Sequence, residues 1–195
     1  MARIHLAEQS DLPEEHQHLI AAFREPVDLA PEYRHLMSSS ERNVYAAFGR
    51  VPPLLASFRD FVGSLWNDAG LDARTRELVI LRAARELDSR YVWHQHGRIA
   101  LSAGLPADDV RAVGANALER FDEDEAAMLA YVRAYLNGAV DDDLHERVSK
   151  GYDDGTIVAI GMLAGTYATI VRSMDALAIP IEEGFIGWDL ANAPA

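Results

Sequence analysis

The chain has 195 residues and no cysteine. That excludes disulfides, thiolate metal ligands and thiol catalysis together. Lysine is nearly missing as well: Lys150 stands alone, and every other basic residue except the histidines is arginine. Positive charge is scarce, with 18 Lys and Arg against 31 Asp and Glu, so the net charge is −13. A chain this acidic repels nucleic acid and anionic lipid, and neither is expected as a partner. There is no sustained strand alternation, no repeat, no low-complexity tract, no Gly-rich phosphate cradle and no Gly-x-Ser-x-Gly elbow. The apolar run from Ile157 to Val171 is interrupted by Thr and Gly and is too short to span a bilayer. The N-terminus, MARIHLAEQSDLPEE, has no apolar core, so no secretory signal is read and the cytoplasm is the expected compartment.

What is present is helix punctuation. Asp11-Leu-Pro-Glu-Glu15 reads as a helix start, and Pro26 and Pro31 punctuate the stretch after it. Helices are expected over 40–49, capped by Ser40, and over 52–69, opened by Pro52 and Pro53 and closed by Gly70. Asp72 and Ser89 cap the next two. Gly104 ends the second of these, and Pro106 opens another that runs to about Asn116. Asp122-Glu-Asp-Glu125 and Asp141-Asp-Asp143 lack the Gly and terminal Glu of a calcium loop, so both read as acidic first turns rather than metal sites. The last helix is expected from near Asp153 to about Ala176. Its Gly161 and Gly165 lie four apart and permit close helix contact, inside the chain or between subunits. One all-α domain over 1–195 is expected, with an N-terminal arm over roughly 1–30 and a core over roughly 40–184.

The most informative segment is Glu77 to His96, ELVILRAARELDSRYVWHQH. It reads as the end of one helix, a junction at Asp88 and Ser89, and the start of a second. Glu77 shares a face with Ile80, Leu81 and Ala84, and His96 shares one with Ser89, Val92, Trp93, Ile99, Ala100 and Ala103. Helices joined by a short loop pack antiparallel with apolar faces together. A carboxylate and an imidazole would then meet in a dry layer, which is how an acid–base catalyst is made. Taken singly, each has a plainer reading: Glu77 paired with Arg74, and His96 a satisfied core histidine. His94 and His96 point about 160° apart on a helix and cannot share a metal. His5, His16, His18, His35 and His145 form no metal-ligand spacing. No metal and no cofactor is expected.

These residues resemble the carboxymuconolactone decarboxylase family, which is shared with the alkylhydroperoxidase D-like (AhpD-like) proteins. The resemblance rests on Arg74-Thr-Arg-Glu-Leu-Val-Ile-Leu81, on Tyr91-Val-Trp-His-Gln-His96 with Arg98-Ile-Ala100 and Ala103-Gly104-Leu105, and more weakly on Leu177-Ala-Ile-Pro-Ile-Glu-Glu-Gly184. It covers roughly 45–184. It implies an AhpD-like helical bundle of about eight or nine helices, assembled as a homo-oligomer (dimer, trimer or hexamer). Peroxidase-type members carry Glu, Cys-x-x-Cys and His; the matching positions are Glu77, Ser89, Val92 and His96, so both cysteines are replaced. Val92 also stands where the family commonly has Glu.

What the resemblance implies is a cofactor-free carboxy-lyase acting on a small, carboxylated, unsaturated lactone-type acid, with His96 as general acid and Glu77 orienting it. Arg74, Arg82 or Arg98 would hold a carboxylate. Trp93 would wall the pocket, with Tyr91, His94 and Ser89 also expected at the substrate; His94 would sit at a pocket rim or a neighbouring subunit. Ser89 reads better as a helix cap than as a nucleophile, because His96 is two turns away. Two other readings stay open: thiol-coupled peroxide reduction, which the missing cysteines oppose, and a non-catalytic scaffold that keeps Glu77 and His96 as a buried pair.

Overall fold

Side-chain caps set where the helices begin. Asp72 accepts from the Thr75 amide at 2.8 Å, Asp122 from Glu125 at 2.8 Å, Asp141 from Leu144 at 2.8 Å and Asp153 from Thr156 at 2.7 Å. Ser89 accepts from Val92 at 3.3 Å. Each such cap contributes about 1 kcal/mol by satisfying an amide that no helical carbonyl reaches. In the computed structural model, which describes residues 1–21, 42–182 and 184–191, these caps open five of eight α-helices. The helices are α1 (Asn43–Phe48), α2 (Pro52–Asn67), α3 (Ala73–Glu86), α4 (Arg90–Ser102), α5 (Ala107–Ala115), α6 (Glu123–Leu136), α7 (Asp142–Gly151) and α8 (Asp154–Leu177). No strand occurs among the described residues. Ser40, Pro26, Pro31 and His35, and Glu183 of the tail segment, lie outside them.

The helix expected to start at Asp11 is instead two 3-10 turns, Gln9–Asp11 and Glu14–Leu19. The Asp11 carboxylate bonds back to the Glu8 amide at 3.0 Å and closes a short turn. Pro13, which has no amide hydrogen, separates the two. Together they lay Ala7, Leu12, Leu19 and Ile20 over Leu55 of α2 as a small apolar cluster.

α3 and α4 form the centre. Residues 77–84 of α3 are all buried, as are eleven of the thirteen in α4. A helix buried on every side needs neighbours on every side, and α3 packs on α4, α5, α6 and α8. The junction is three residues long, with Asp88 in the left-handed region at φ 53°, a conformation that Asp tolerates better than most residues. Gly104, at φ 87°, turns the chain out of α4.

α8 closes the bundle through Ile157, Ile160, Leu163, Ala164, Tyr167, Ile170, Val171 and Met174, all buried at helical spacing. Its 24 residues are long and apolar enough to cross a membrane, but 61% of the most apolar window is buried inside the protein. Gly161 and Gly165 receive the ring of Tyr135 from α6: a Cβ on either would lie 3.2 Å from it. The close contact expected of this pair is thus made within the chain.

Candidate active site

The short α3–α4 connection does what the sequence pattern predicts. Glu77 Oε2 lies 2.8 Å from His96 Nδ1, and the carboxylate is fully buried. A carboxylate only accepts, so Nδ1 carries the hydrogen. The other imidazole nitrogen, Nε2, lies 2.9 Å from the hydroxyl of Tyr167 on α8. The Tyr167 ring meets the imidazole edge-on, with centroids 4.9 Å apart and planes at 89°. Burial, and then the Glu77 charge, push the Tyr167 hydroxyl well above its ordinary pKa, while a hydrogen bond from the Trp66 side chain opposes them. The phenol therefore stays protonated across the working pH range. Arg76 Nε sits 3.5 Å from Glu77 Oε1, near enough to pair charges but not aligned as a hydrogen bond. Its guanidinium covers the Trp66 ring at 4.1 Å.

His96 and Tyr167 open onto a cavity of about 640 Å³. α4 contributes Tyr91, Val92, Gln95, His96 and Ile99 to its wall, and Ala103 follows at its C-terminus. α2 contributes Phe58, Arg59, Val62, Gly63 and Trp66, and Arg42 and Tyr45 come from α1 and its approach. The tail beyond α8 fixes one side. Glu182 accepts from the Asn43 amide and the Tyr91 hydroxyl, both at 2.7 Å, and from Gln95 Nε2 at 2.5 Å. Gln95 in turn accepts from Arg42. Burial and the Glu182 charge hold the Tyr91 hydroxyl protonated, pushing its pKa up.

Most of the other residues expected at the substrate lie elsewhere. Tyr91 lines the cavity. Trp93 does not: its Nε1 donates to the Gly187 carbonyl at 2.8 Å and its ring meets Trp188 at 5.2 Å. The reason is angular. On α4, Val92 and Ile99 flank His96 on one side and Trp93 flanks it on the other, about 60° away. Because α4 is buried all round, sharing an apolar face did not say which neighbour that face meets. His94 Nε2 lies 3.2 Å from Arg98 Nη1, and neither residue lines the cavity. Ser89 is the α4 cap. Arg82 is buried on Asn116 at 2.5 Å and Glu86 at 3.3 Å. Arg74 pairs with Glu125 at 2.6 Å and Asp109 at 2.8 Å rather than with Glu77. The cations on the cavity wall are Arg42, Arg59 and Arg76. Among the described residues no cluster of His, Asp and Glu has metal-binding geometry.

Tyr167 was the principal residue that sequence reasoning missed. Its signal is a lone hydroxyl-bearing aromatic in the aliphatic stripe Ile160, Leu163, Ala164, Val171. Glu182 lies in the tail segment whose resemblance was weakest.

Residues 52–134 match the model of the "Carboxymuconolactone decarboxylase family". No curated protein sequence matches the chain. Among solved structures, an uncharacterised peroxidase-related protein from Ralstonia eutropha, described as an alkylhydroperoxidase AhpD core, superposes with a TM-score of 0.75 at 18% identity, covering 96% of each chain. The debrominase Bmp8 superposes with a TM-score of 0.68 in complex with 2,3,4-tribromopyrrole (15% identity, 89% of this chain and 95% of that one). Without ligand it gives a TM-score of 0.70 (14% identity, 90% of this chain and 98% of that one). At these identities the likeness is one of fold: the chain has the AhpD-like all-α architecture.

Proposed function

We propose that this cysteine-free chain, whose residues 52–134 match the carboxymuconolactone decarboxylase family model, is a carboxy-lyase acting on a carboxylated organic acid. The observation that carries this reading is the engagement of both His96 nitrogens, one by a buried carboxylate and the other by a hydroxyl on a cavity wall.

The chain of groups has a definite polarity when His96 is charged. Glu77 accepts the Nδ1 hydrogen and orients the ring. Nε2–H then donates to the Tyr167 oxygen, which also accepts from Trp66, and the Tyr167 hydrogen is directed into the cavity. In the reaction the bond between the substrate's carbon and its carboxylate breaks. CO2 leaves, and the electron pair moves into the substrate's own conjugated carbonyl. The carbon then takes the Tyr167 proton while His96 returns one to the phenol, so His96 is the general acid acting through Tyr167. Solvent recharges His96 after product leaves, and the balance is one proton consumed per CO2 released. Arg42 and Arg59 anchor the substrate by an anionic group, for which the planar guanidinium fork is suited. They give this wall positive charge on a molecule of net charge −13.

The test is CO2 release from a panel of unsaturated lactone acids and of one- and two-ring aromatic acids, a halogenated one included because a structural neighbour was solved with a brominated pyrrole. Turnover by the wild type that His96→Gln and Glu77→Gln both abolish is expected. No CO2 from any member of the panel overturns the reading. One observation favours a non-catalytic alternative: the triad satisfies both imidazole nitrogens without a ligand. Collapse of the melting temperature in both variants, together with an inert wild type, would select it.

A further inference from the structure

α2 turns one stripe toward the cavity, with Arg59 at its middle, Gly63 one turn further on and Trp66 near its end. A glycine inside a helix is unfavourable relative to alanine, and among the described residues no close packing compels this one. A Cβ built on Gly63 would meet no atom of the described residues within 4 Å, whereas one on Gly97 of α4 would lie 3.0 Å from Ile186. The missing side chain leaves room on the cavity side of α2, between the anchoring cation and the proton-handling groups. At ~1.5 Å per residue, Arg59 and Trp66 stand about 10 Å apart along the helix axis. His96 lies beside Trp66, with ring centroids 6.2 Å apart. That rise along the axis exceeds the length of a single-ring acid and favours a longer ligand. The volume, about 640 Å³, is in the middle of the range that encloses drug-sized ligands. The walls are flat and braced: Phe58 stands edge-on to Phe48 at 5.0 Å, and Arg76 backs Trp66. Aromatic walls of this kind favour flat aromatic ligands.

We infer that the ligand of this cavity is a flat acid of two or more rings, anchored at Arg42 and Arg59 and reaching His96 and Tyr167 across Gly63, which sets the size limit. The inference rests on reading the cavity as an acid site, and binding tests it without need of turnover. Isothermal titration of the full chain with benzoate, naphthoate and biphenyl carboxylate, each beside its neutral carboxamide, gives the readout. Each added ring tightens Kd about tenfold through apolar burial. Gly63→Leu removes the difference between benzoate and the two-ring acids, and Gly63→Ala, whose methyl fits the open space, keeps it. If Gly63→Leu does not fold, as judged by circular dichroism, the wild-type ring series and Gly63→Val decide.

No gain with ring number, or a gain that survives in folded Gly63→Leu, overturns the inference. Acids preferred over amides without a ring effect would leave the acid reading of the cavity standing while the multi-ring inference fails. Amides binding as tightly as acids, with the ring effect intact, would sink the acid reading and leave the multi-ring body standing. Failure of every probe to bind overturns both.

Discussion

His94 and His96 are two residues apart on the same helix and both are buried, yet their surroundings assign them opposite chemistry. His94 faces Arg98, whose guanidinium can only donate, so its Nε2 accepts in that contact. His96 faces a carboxylate, which only accepts, at one nitrogen and a phenol, which can donate or accept, at the other. Neither residue type nor burial separates the two. The partner's hydrogen-bonding sense does, and so does the cavity that only His96 reaches.

Exchanging the roles tests this contrast. His96→Gln is expected to lower CO2 release by on the order of 10²–10⁴-fold, while His94→Gln leaves turnover per folded molecule near wild type. A comparable loss in His94→Gln would break the comparison. Tyr167→Phe comes next. If the phenol passes on the proton, turnover falls about 10²-fold, and the pH–rate profile changes because His96 must then reach the substrate directly. An unaltered profile would return Tyr167 to a packing role. Smaller again is the structural cost of His94→Gln, which disturbs a buried hydrogen bond to a charged group and should lower stability in urea by about 1–3 kcal/mol.

The smallest effect concerns pH. Burial first, then the Glu77 charge, raises Tyr167 above its ordinary value of 10; burial also raises Tyr45, against the pull of Arg59 and Arg42. A raised phenol favours the fold while protonated, so its contribution is whole below about pH 10 and is lost as pH climbs past it. Urea midpoints between about pH 9 and pH 11 should fall less steeply in Tyr167→Phe than in wild type. An equal slope in the two proteins would show that Tyr167 does not titrate with unfolding.

Much of the architecture could be read from local signals. The caps at Asp72 and Ser89, and the helix starts at Asp122, Asp141 and Asp153, lie where the sequence placed them, because capping depends on residues three apart. The Glu77–His96 meeting was legible for a similar reason: a three-residue junction leaves two helices little choice of partner. The rest of the site was not, because it is assembled by long-range contacts. Tyr167 is 71 positions from His96, and Glu182 is 91 from Tyr91. Trp93 failed as a wall residue because the periodicity of a fully buried helix names no particular neighbour. The helix start at Asp11 failed because Pro13 interrupts the amide ladder one turn too soon.

The Glu182 clasp also bears on how the protein matures. Its bond to the Asn43 amide joins positions 139 apart, and closing so long a loop is entropically slow and comes after the local hairpins have formed. During synthesis α1 to α4 emerge long before residue 182, so a nascent chain can carry the Glu77–His96 pair while the wall that seats Arg42 is still unbuilt. Ligand capture is therefore acquired only once residue 182 has been made, and a refolding experiment should show helical signal returning before binding does.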